Sequence, residues 1–285
     1  MNKKMKVNYH IDKLVLVYRI PEDFMTHVIR SISTFDFLIT TASNVFIFSK
    51  KYLSVNYTNP IYILEYKNGN EDNVKIAEFR NDIQQAITVT LDNKLFYSGR
   101  LKLLYDFENL YNLTLEKIVQ IDVACDCNIN LPKKLNDFIH RCDCTVKRIG
   151  TKIPVTEKGN QILGTKVIPN IKIINDKEKP KASFYYNLKS SGNRRPIIFR
   201  GYNKTLEIKT KSHKTYIEEA NGYGTDDVIY RFEVSIIGRD LKRQSKKDES
   251  LSFENVYMKL DDECFLKKLF ITYINRIGNL WIKNN

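Results

Sequence analysis

Several features that mark common protein classes are missing from this chain of 285 residues. Nowhere do 18 apolar residues follow one another, so no membrane-spanning helix is expected, and the basic start of the chain lacks the apolar core of a secretory signal. A Gly-x(4)-Gly-Lys-Ser/Thr loop is also absent, so nothing indicates a P-loop nucleotide site. We therefore expect a soluble intracellular protein that has no membrane partner and needs no nucleotide cofactor.

Cysteine and histidine are scarce. The five cysteines include two Cys-Asp-Cys triplets, 125–127 and 142–144, each with one residue between its cysteines, whereas structural zinc usually takes cysteines that have about two to four residues between them. We predict reduced cysteines buried in strands rather than a disulfide framework, with a zinc site as the open alternative. The four histidines are scattered and form no His-x-His pair: His10, His27, His140 and His213.

Positive charge is abundant and concentrated in one segment. The whole chain carries a net charge of +13, and residues 133–214 hold 20 Lys and Arg against 6 Asp and Glu, a net of +14. The remaining residues are therefore nearly neutral. A surface rich in Lys and Arg binds the phosphate backbone of a nucleic acid, because binding releases the counterions condensed on that backbone. The distribution favours a nucleic-acid partner over an anionic membrane or an acidic protein.

The hydrophobic pattern predicts an α+β fold with a mostly antiparallel central sheet and flanking helices. We expect three segments: an N-terminal α+β subdomain over 1–115, a catalytic sheet subdomain over 116–241 and a C-terminal helical element over 242–285. The most clearly patterned elements are a hairpin of Ile61–Tyr66 and Val74–Phe79, a helix over Tyr97–Tyr111, strands over Lys117–Asp126, Ile197–Lys204 and Val228–Ile237, and a helix over Cys264–Trp281.

Three of these strands alternate between an apolar face and a face of charged and hydroxyl side chains. The polar sets are Asp122 with Asp126, then Arg200, Tyr202 and Lys204, then Arg231, Glu233 and Ser235. The alternating pattern of each single strand is also explained by a sheet that has one face in water. Together, however, the carboxylates are the ligands that a hard divalent cation prefers, and a tyrosine flanked by two cations is a candidate nucleophile.

The same strands carry a family resemblance. The runs Phe184–Gly192, Ile197–Glu207 and Tyr230–Val234, with the upstream strand Asp122–Asp126, resemble the Rep_trans family of plasmid and phage rolling-circle replication initiators. Such a protein cuts one DNA strand and stays attached to it by a 5′-phosphotyrosine bond. The resemblance implies a palm like that of HUH nickases and RRM domains, and the chain could comprise two related halves. It also implies a location in the bacterial cytoplasm.

The resemblance implies a role for each matching residue. Tyr202 is the expected nucleophile, with Tyr186 second because Tyr186–Lys189 has the spacing of the related HUH nickases. Arg200 and Lys204 are expected at the scissile phosphate. The expected ligands of Mg²⁺ or Mn²⁺ are Asp122, Asp126, Glu207 and Glu233. The expected nucleic-acid contacts are Lys189, Arg194, Arg195 and Arg231.

The expected partners are plasmid or phage origin DNA, in duplex, hairpin and single-stranded form, and a host helicase that melts the duplex. A homodimer is a further expectation. Two other functions stay open. The basic sheet with its tyrosines is also typical of a non-enzymatic nucleic-acid-binding protein, such as an RNA-binding module or a repressor. A hydrolytic nuclease would use the same carboxylates with water as its nucleophile.

Overall fold

A computed structural model of the chain shows an α+β protein built on antiparallel strand pairs, which confirms the predicted fold class. The structure describes residues 5–22, 24, 37–40, 45–51, 61–67, 74–83, 86–130, 145–148, 151–154, 171–174, 183–186, 197–224 and 227–277. Among these residues, no helix is both long enough and apolar enough to cross a membrane.

The strands, numbered in chain order, are β1 Val7–Arg19, β2 Phe37–Thr40, β3 Val45–Lys51, β4 Ile61–Lys67, β5 Val74–Ile83, β6 Ala86–Leu91, β7 Thr114–Cys127, β8 Thr145–Arg148, β9 Thr151–Pro154, β10 Ile171–Ile174, β11 Ser183–Tyr186, β12 Ile197–Asn203 and β13 Tyr230–Ile237. The helices are α1 Lys94–Tyr97, α2 Lys102–Tyr111, α3 Lys204–Glu207, α4 Tyr216–Ala220, α5 Gly238–Ser245, α6 Phe253–Tyr257 and α7 Glu263–Ile277. A π-helical turn, Ile208–Ser212, follows α3, and a 3₁₀ turn, Glu249–Leu251, precedes α6.

The chain divides into two compact units. The first contains residues 1–11, 122–240 and 262–285, and the second contains residues 12–121 and 241–261. Strands β1 and β7 therefore each give part of their length to both units. This division differs from the three consecutive segments expected from the sequence.

In the second unit the strands are ordered β7-β1-β6-β5-β4-β3-β2. The predicted hairpin is confirmed, because β4 and β5 pair antiparallel. Helix α2 buries Phe107 among aromatic rings, with ring centroids 6.0 Å from Phe46, 6.3 Å from Phe24 and 6.4 Å from Phe79. Aromatic rings that meet at such distances bury much apolar surface, so this cluster is a centre of the unit's core.

The helix predicted over Tyr97–Tyr111 is two helices, α1 and α2. Gly99 lies between them with a φ of +66°, in the left-handed region that suits glycine, and it ends the first helix. The apolar spacing was therefore correct for α2 and did not reveal the break.

In the first unit the strands are ordered β10-β11-β12-β13-β7-β1. Helix α7 packs against β12 and β13. The ring of Phe270 on α7 meets Tyr9 of β1 at 5.6 Å between centroids, and Phe199 of β12 meets Phe232 of β13 at 5.2 Å. Apolar side chains thus fill one side of this sheet, as the alternation of the strands predicts. The predicted helix runs over Glu263–Ile277, and its expected last residues lie outside the described part of the chain.

Candidate active site

The polar residues of β12 and β13 share one face of the sheet. In the register of this pair, Arg200 lies opposite Glu233 and Tyr202 lies opposite Arg231. Directly opposite residues of antiparallel strands project to the same side. The predicted alternation of these two strands is therefore confirmed.

Four charged side chains of β7 and β13 are buried. Arg231, Glu233 and Asp126 have no exposed surface, and Asp122 is 4% exposed. A buried charge costs several kcal/mol unless it is paired and hydrogen-bonded. The interpretation as a solvated sheet face therefore does not describe these residues, and the partners of each charge become the main question.

Tyr202 lies between a carboxylate and two cations. Its hydroxyl donates a hydrogen bond to Oε2 of Glu233 at 3.3 Å. The Arg200 guanidinium carbon lies 6.0 Å from the Tyr202 ring centroid and the Lys204 ammonium lies 5.9 Å from it, which is about the limit of a cation–π contact. The phenol thus has a proton acceptor on one side and positive charge close to its ring.

Arg200 connects the same carboxylate to a second one. Its Nη2 forms an ion pair with Oε1 of Glu233 and lies 4.0 Å from Oδ2 of Asp122. Burial lowers the pKa of Arg200, but the neighbouring Glu233 charge outweighs this and holds that pKa above its ordinary value. Its Nε is buried and has no hydrogen-bond partner among the described residues. The side chain is 38% exposed, so part of a permanently charged fork remains open to a ligand.

Lys204 does not extend the strand, contrary to the predicted element Ile197–Lys204. Strand β12 ends at Asn203, whose Oδ1 accepts a hydrogen bond from the Leu206 amide at 2.9 Å and so caps α3. Lys204 is the first residue of that helix and is 3% exposed. Its ammonium pairs with Oε2 of Glu207 at 2.8 Å. The chain changes direction at the Asn203 cap, but the Lys204 ammonium still lies 5.9 Å from the Tyr202 ring centroid.

Asp126 and Arg231 form a buried ion pair. Nε of Arg231 donates to Oδ1 of Asp126 at 2.7 Å and Nη2 donates to Oδ2 at 2.6 Å. Nδ2 of Asn221 donates a further hydrogen bond to Oδ2 of Asp126 at 3.2 Å, and Oδ1 of Asn221 accepts one from Nε2 of the His10 ring at 2.8 Å. Two parallel bonds between a guanidinium and a carboxylate are a strong, directional contact. Both charges predicted to face DNA or metal therefore face each other.

Asn221 was not singled out by the sequence, although it holds this network together. Its side chain also bonds to Asn8 at 2.9 Å and to the Ile217 carbonyl at 2.7 Å. It follows α4 in a turn, and the only local signal is the preference of asparagine for such turns. That signal does not identify a partner more than 90 residues away in the chain.

Of the remaining predicted site residues, only Tyr186 lies in the described part of the chain. Lys189, Arg194 and Arg195 are outside it. Tyr186 lies in β11, where the register pairs it with Phe199, whereas Tyr185 is paired with Arg200. Arg200 thus lies opposite Glu233 on one neighbouring strand and opposite Tyr185 on the other. Tyr186 is not in this row of residues.

The described carboxylates do not fit a divalent-metal site as they lie. Asp126 and Glu207 are each paired with a basic side chain, and Glu233 is paired with Arg200. Among the described residues, no three His, Cys, Asp or Glu side chains gather as a metal ion would need. The first Cys-Asp-Cys triplet agrees with the predicted buried cysteines, because Cys125 and Cys127 are both buried and neither forms a disulfide bond.

No family model matches the chain, and no curated protein matches it. Among solved structures, the chain is similar to a rolling-circle replication initiator protein from Geobacillus stearothermophilus. The two are 15% identical with a TM-score of 0.40, and the alignment covers 97% of this chain and 88% of that one. A likeness of this degree does not establish a shared function.

Proposed function

We propose that the chain is a DNA-nicking and strand-joining enzyme that initiates rolling-circle replication, with Tyr202 as its nucleophile. One observation carries the proposal: the Tyr202 hydroxyl donates to the fully buried carboxylate of Glu233 while two cations lie close to its ring. Tyrosine ordinarily titrates near a pKa of about 10, so it needs a base and positive charge to attack a phosphate near neutral pH. Both are present at this residue.

In the proposed reaction, the Tyr202 oxygen attacks the phosphorus of one phosphodiester bond. The phenol proton passes to Glu233, which acts as general base. The bond from phosphorus to the 3′ oxygen breaks, and that oxygen takes a proton from solvent and leaves as a 3′ hydroxyl. The 5′ phosphate remains bonded to the tyrosine, so the reverse attack by a 3′ hydroxyl rejoins the strand without an external energy source.

Arg200 is the group best suited to hold the scissile phosphate. Its charge is permanent, and its side chain is partly exposed. A guanidinium fork matches phosphate geometry. Lys204 is too deeply buried to meet a strand directly, and in the proposal it contributes its charge beside the phenol.

Two features of the sequence support DNA as the substrate. Tyr202 lies inside the segment 133–214 that holds the entire charge excess of the chain. The motif around it is also the one that resembles the Rep_trans initiators. Dependence on Mg²⁺ or Mn²⁺ stays a prediction from that resemblance, and no step above passes through a metal ion.

The test is an SDS-stable adduct between the full chain and a labelled single-stranded oligonucleotide of the origin. We expect the adduct with wild type, its loss in Tyr202→Phe, and its retention in Tyr230→Phe. Tyr230 is a matched control because it lies on β13 opposite Asn203, the strand neighbour of Tyr202. Loss of the adduct in EDTA and recovery with Mn²⁺ would support the metal prediction.

Other outcomes identify the competing functions. Cleavage without an adduct would indicate a hydrolytic nuclease, and binding without cleavage would indicate a non-enzymatic nucleic-acid-binding protein. An adduct that survives Tyr202→Phe but disappears in Tyr186→Phe would show that the nucleophile is Tyr186.

A further inference from the structure

The chain segment that follows α3 contains two unusual backbone features. Ile208–Ser212 forms a single π-helical turn, closed by a hydrogen bond of 2.9 Å from the His213 amide to the Ile208 carbonyl. His213 has a φ of +54°, in the left-handed region. Single π-helical turns are rare and lie frequently at functional sites, and a left-handed residue other than glycine stores backbone strain. This combination makes the segment a candidate for a function of its own.

Side-chain contacts connect this turn to the Tyr202 site. Oγ of Ser212 donates a hydrogen bond to Oε2 of Glu207 at 3.1 Å. The same oxygen pairs with the Lys204 ammonium at 2.8 Å, and that ammonium lies 5.9 Å from the Tyr202 ring centroid. All of these residues belong to the first unit. The π-helical turn is therefore held close to the proposed nucleophile by a chain of three side chains.

This segment presents lysine side chains to solvent. We call residues 208–214 the lysine turn, because they include three lysines and no acidic residue. Ile208 is 2% exposed and anchors the turn in the core, whereas Lys209 and Lys211 are both exposed. Exposed lysines also occur for solubility alone. These two, however, lie on a strained turn that contacts the residues beside Tyr202.

Lysine is suited to a phosphate backbone rather than to a particular base. Its ammonium is a point charge on a flexible stem, so it binds phosphate without demanding one geometry. The lysine turn contains no Phe, Tyr or Trp, and aromatic side chains are the ones on which unpaired bases stack. A strand with its scissile phosphate at Tyr202 brings its adjacent phosphates, one nucleotide away on either side, to the surface around that residue.

We propose that the lysine turn binds the backbone phosphates next to the scissile one, through Lys209 and Lys211. This inference rests on the proposed function for its single-stranded DNA substrate. It leaves the scissile phosphate to Arg200 and gives the neighbouring phosphates to two flexible charges. Each phosphate contact with single-stranded DNA contributes about 0.7 to the slope of log affinity against log salt concentration, so the loss of both contacts should lower that slope by about 1.4.

The experiment compares the full chain with Lys209→Gln/Lys211→Gln and with a charge-matched control, Lys246→Gln/Lys247→Gln. The control lysines are also exposed, and they belong to the second unit. Binding to labelled oligo(dT) is followed by fluorescence anisotropy between about 50 and about 200 mM salt. We expect the lysine-turn variant to lose about 1.4 from the salt slope and the control to keep the wild-type slope. On the origin oligonucleotide, the lysine-turn variant should raise the half-saturating concentration for adduct formation more than it lowers the maximal rate.

A second variant separates the charge of the turn from its shape. Lys209→Arg/Lys211→Arg keeps both charges and should keep the wild-type slope. A slope lost equally in the Arg and Gln variants would overturn the inference, because the effect would then come from the structure of the turn. A wild-type slope in the Gln variant would also overturn it, and so would a loss on duplex DNA that is not seen on oligo(dT).

These outcomes are distinct from a failure of the proposed function. If the wild type forms no adduct but its oligo(dT) binding depends on the two lysine charges, the proposed function is refuted and a single-strand contact at the lysine turn remains. If the wild type forms an adduct and the Gln variant keeps the wild-type slope, only this inference is refuted.

Discussion

The buried pair of Asp126 and Arg231 gives the sharpest prediction about stability. Asp126→Asn keeps the shape of the side chain but removes its charge and one of its two acceptor oxygens. Arg231 would then be a buried cation without its counter-charge, because neither residue has any exposed surface. Removing one member of a buried ion pair costs about 3–5 kcal/mol. We expect the free energy of unfolding to fall by about that amount.

Urea unfolding followed by far-UV circular dichroism measures this change, provided that the m-value stays the same. Asp106→Asn is the matched control, because Asp106 pairs with Lys102 at 2.5 Å on the surface of α2, where the lysine is 80% exposed. Such exposed pairs contribute about 0–1 kcal/mol. A loss in Asp126→Asn as small as the control's would refute the reasoning. It would favour the role first predicted for Asp126, which is to bind a metal ion that the urea experiment does not contain.

Three further predictions concern the proton acceptor, the second-unit core and pH. Glu233→Gln should lower the single-turnover rate of adduct formation by about 10²- to 10⁴-fold, because it removes a general base; an unchanged rate would exclude that role. Phe107→Ala should lower the free energy of unfolding by about 3–5 kcal/mol, measured by urea unfolding, and a loss below about 1 kcal/mol would contradict a central role for this ring. Burial raises the pKa of Glu108 above 4.5 although hydrogen bonds from Tyr18 and Tyr257 act to lower it. At a pH between 4.5 and the folded pKa, folding therefore takes up a proton at Glu108. The contribution of Glu108 to the free energy of unfolding is complete below pH 4.5 and is lost as the pH rises through the folded pKa. Glu108→Gln should show a smaller fall in melting temperature over that range, and an identical pH profile would contradict the assignment.

Strand periodicity predicted the faces of the site well. The alternation of β12 and β13 is a local property of the chain, because successive residues of a strand must point to opposite sides. It therefore placed Arg200 with Tyr202, and Arg231 with Glu233, on their shared faces without any knowledge of the fold. The burial of Arg231, Glu233 and Asp126 was not predictable, because it depends on segments distant in the chain, such as the turn that carries Asn221.

The pairing of charges also depends on tertiary structure. The sequence offers Arg231 several carboxylates, and only the strand order decides that its partner is Asp126. The short helix α3 begins at the last residue of an expected strand, for a different reason. Asn203 is a good helix-capping residue, and this local signal for a helix start competes with the alternating strand pattern at the same place. The division into two units was not visible either, because β1 and β7 are each continuous strands in the sequence.

The double role of Glu233 has a consequence for the timing of the proposed reaction. While Arg200 is paired with this carboxylate, it favours the charged form and so makes Glu233 a weaker base. A phosphate that draws Arg200 away would remove this effect, and the carboxylate would gain proton affinity when the scissile bond arrives. Substrate binding and activation of the nucleophile are then thermodynamically linked, so Tyr202 would become reactive chiefly when a DNA strand is in place.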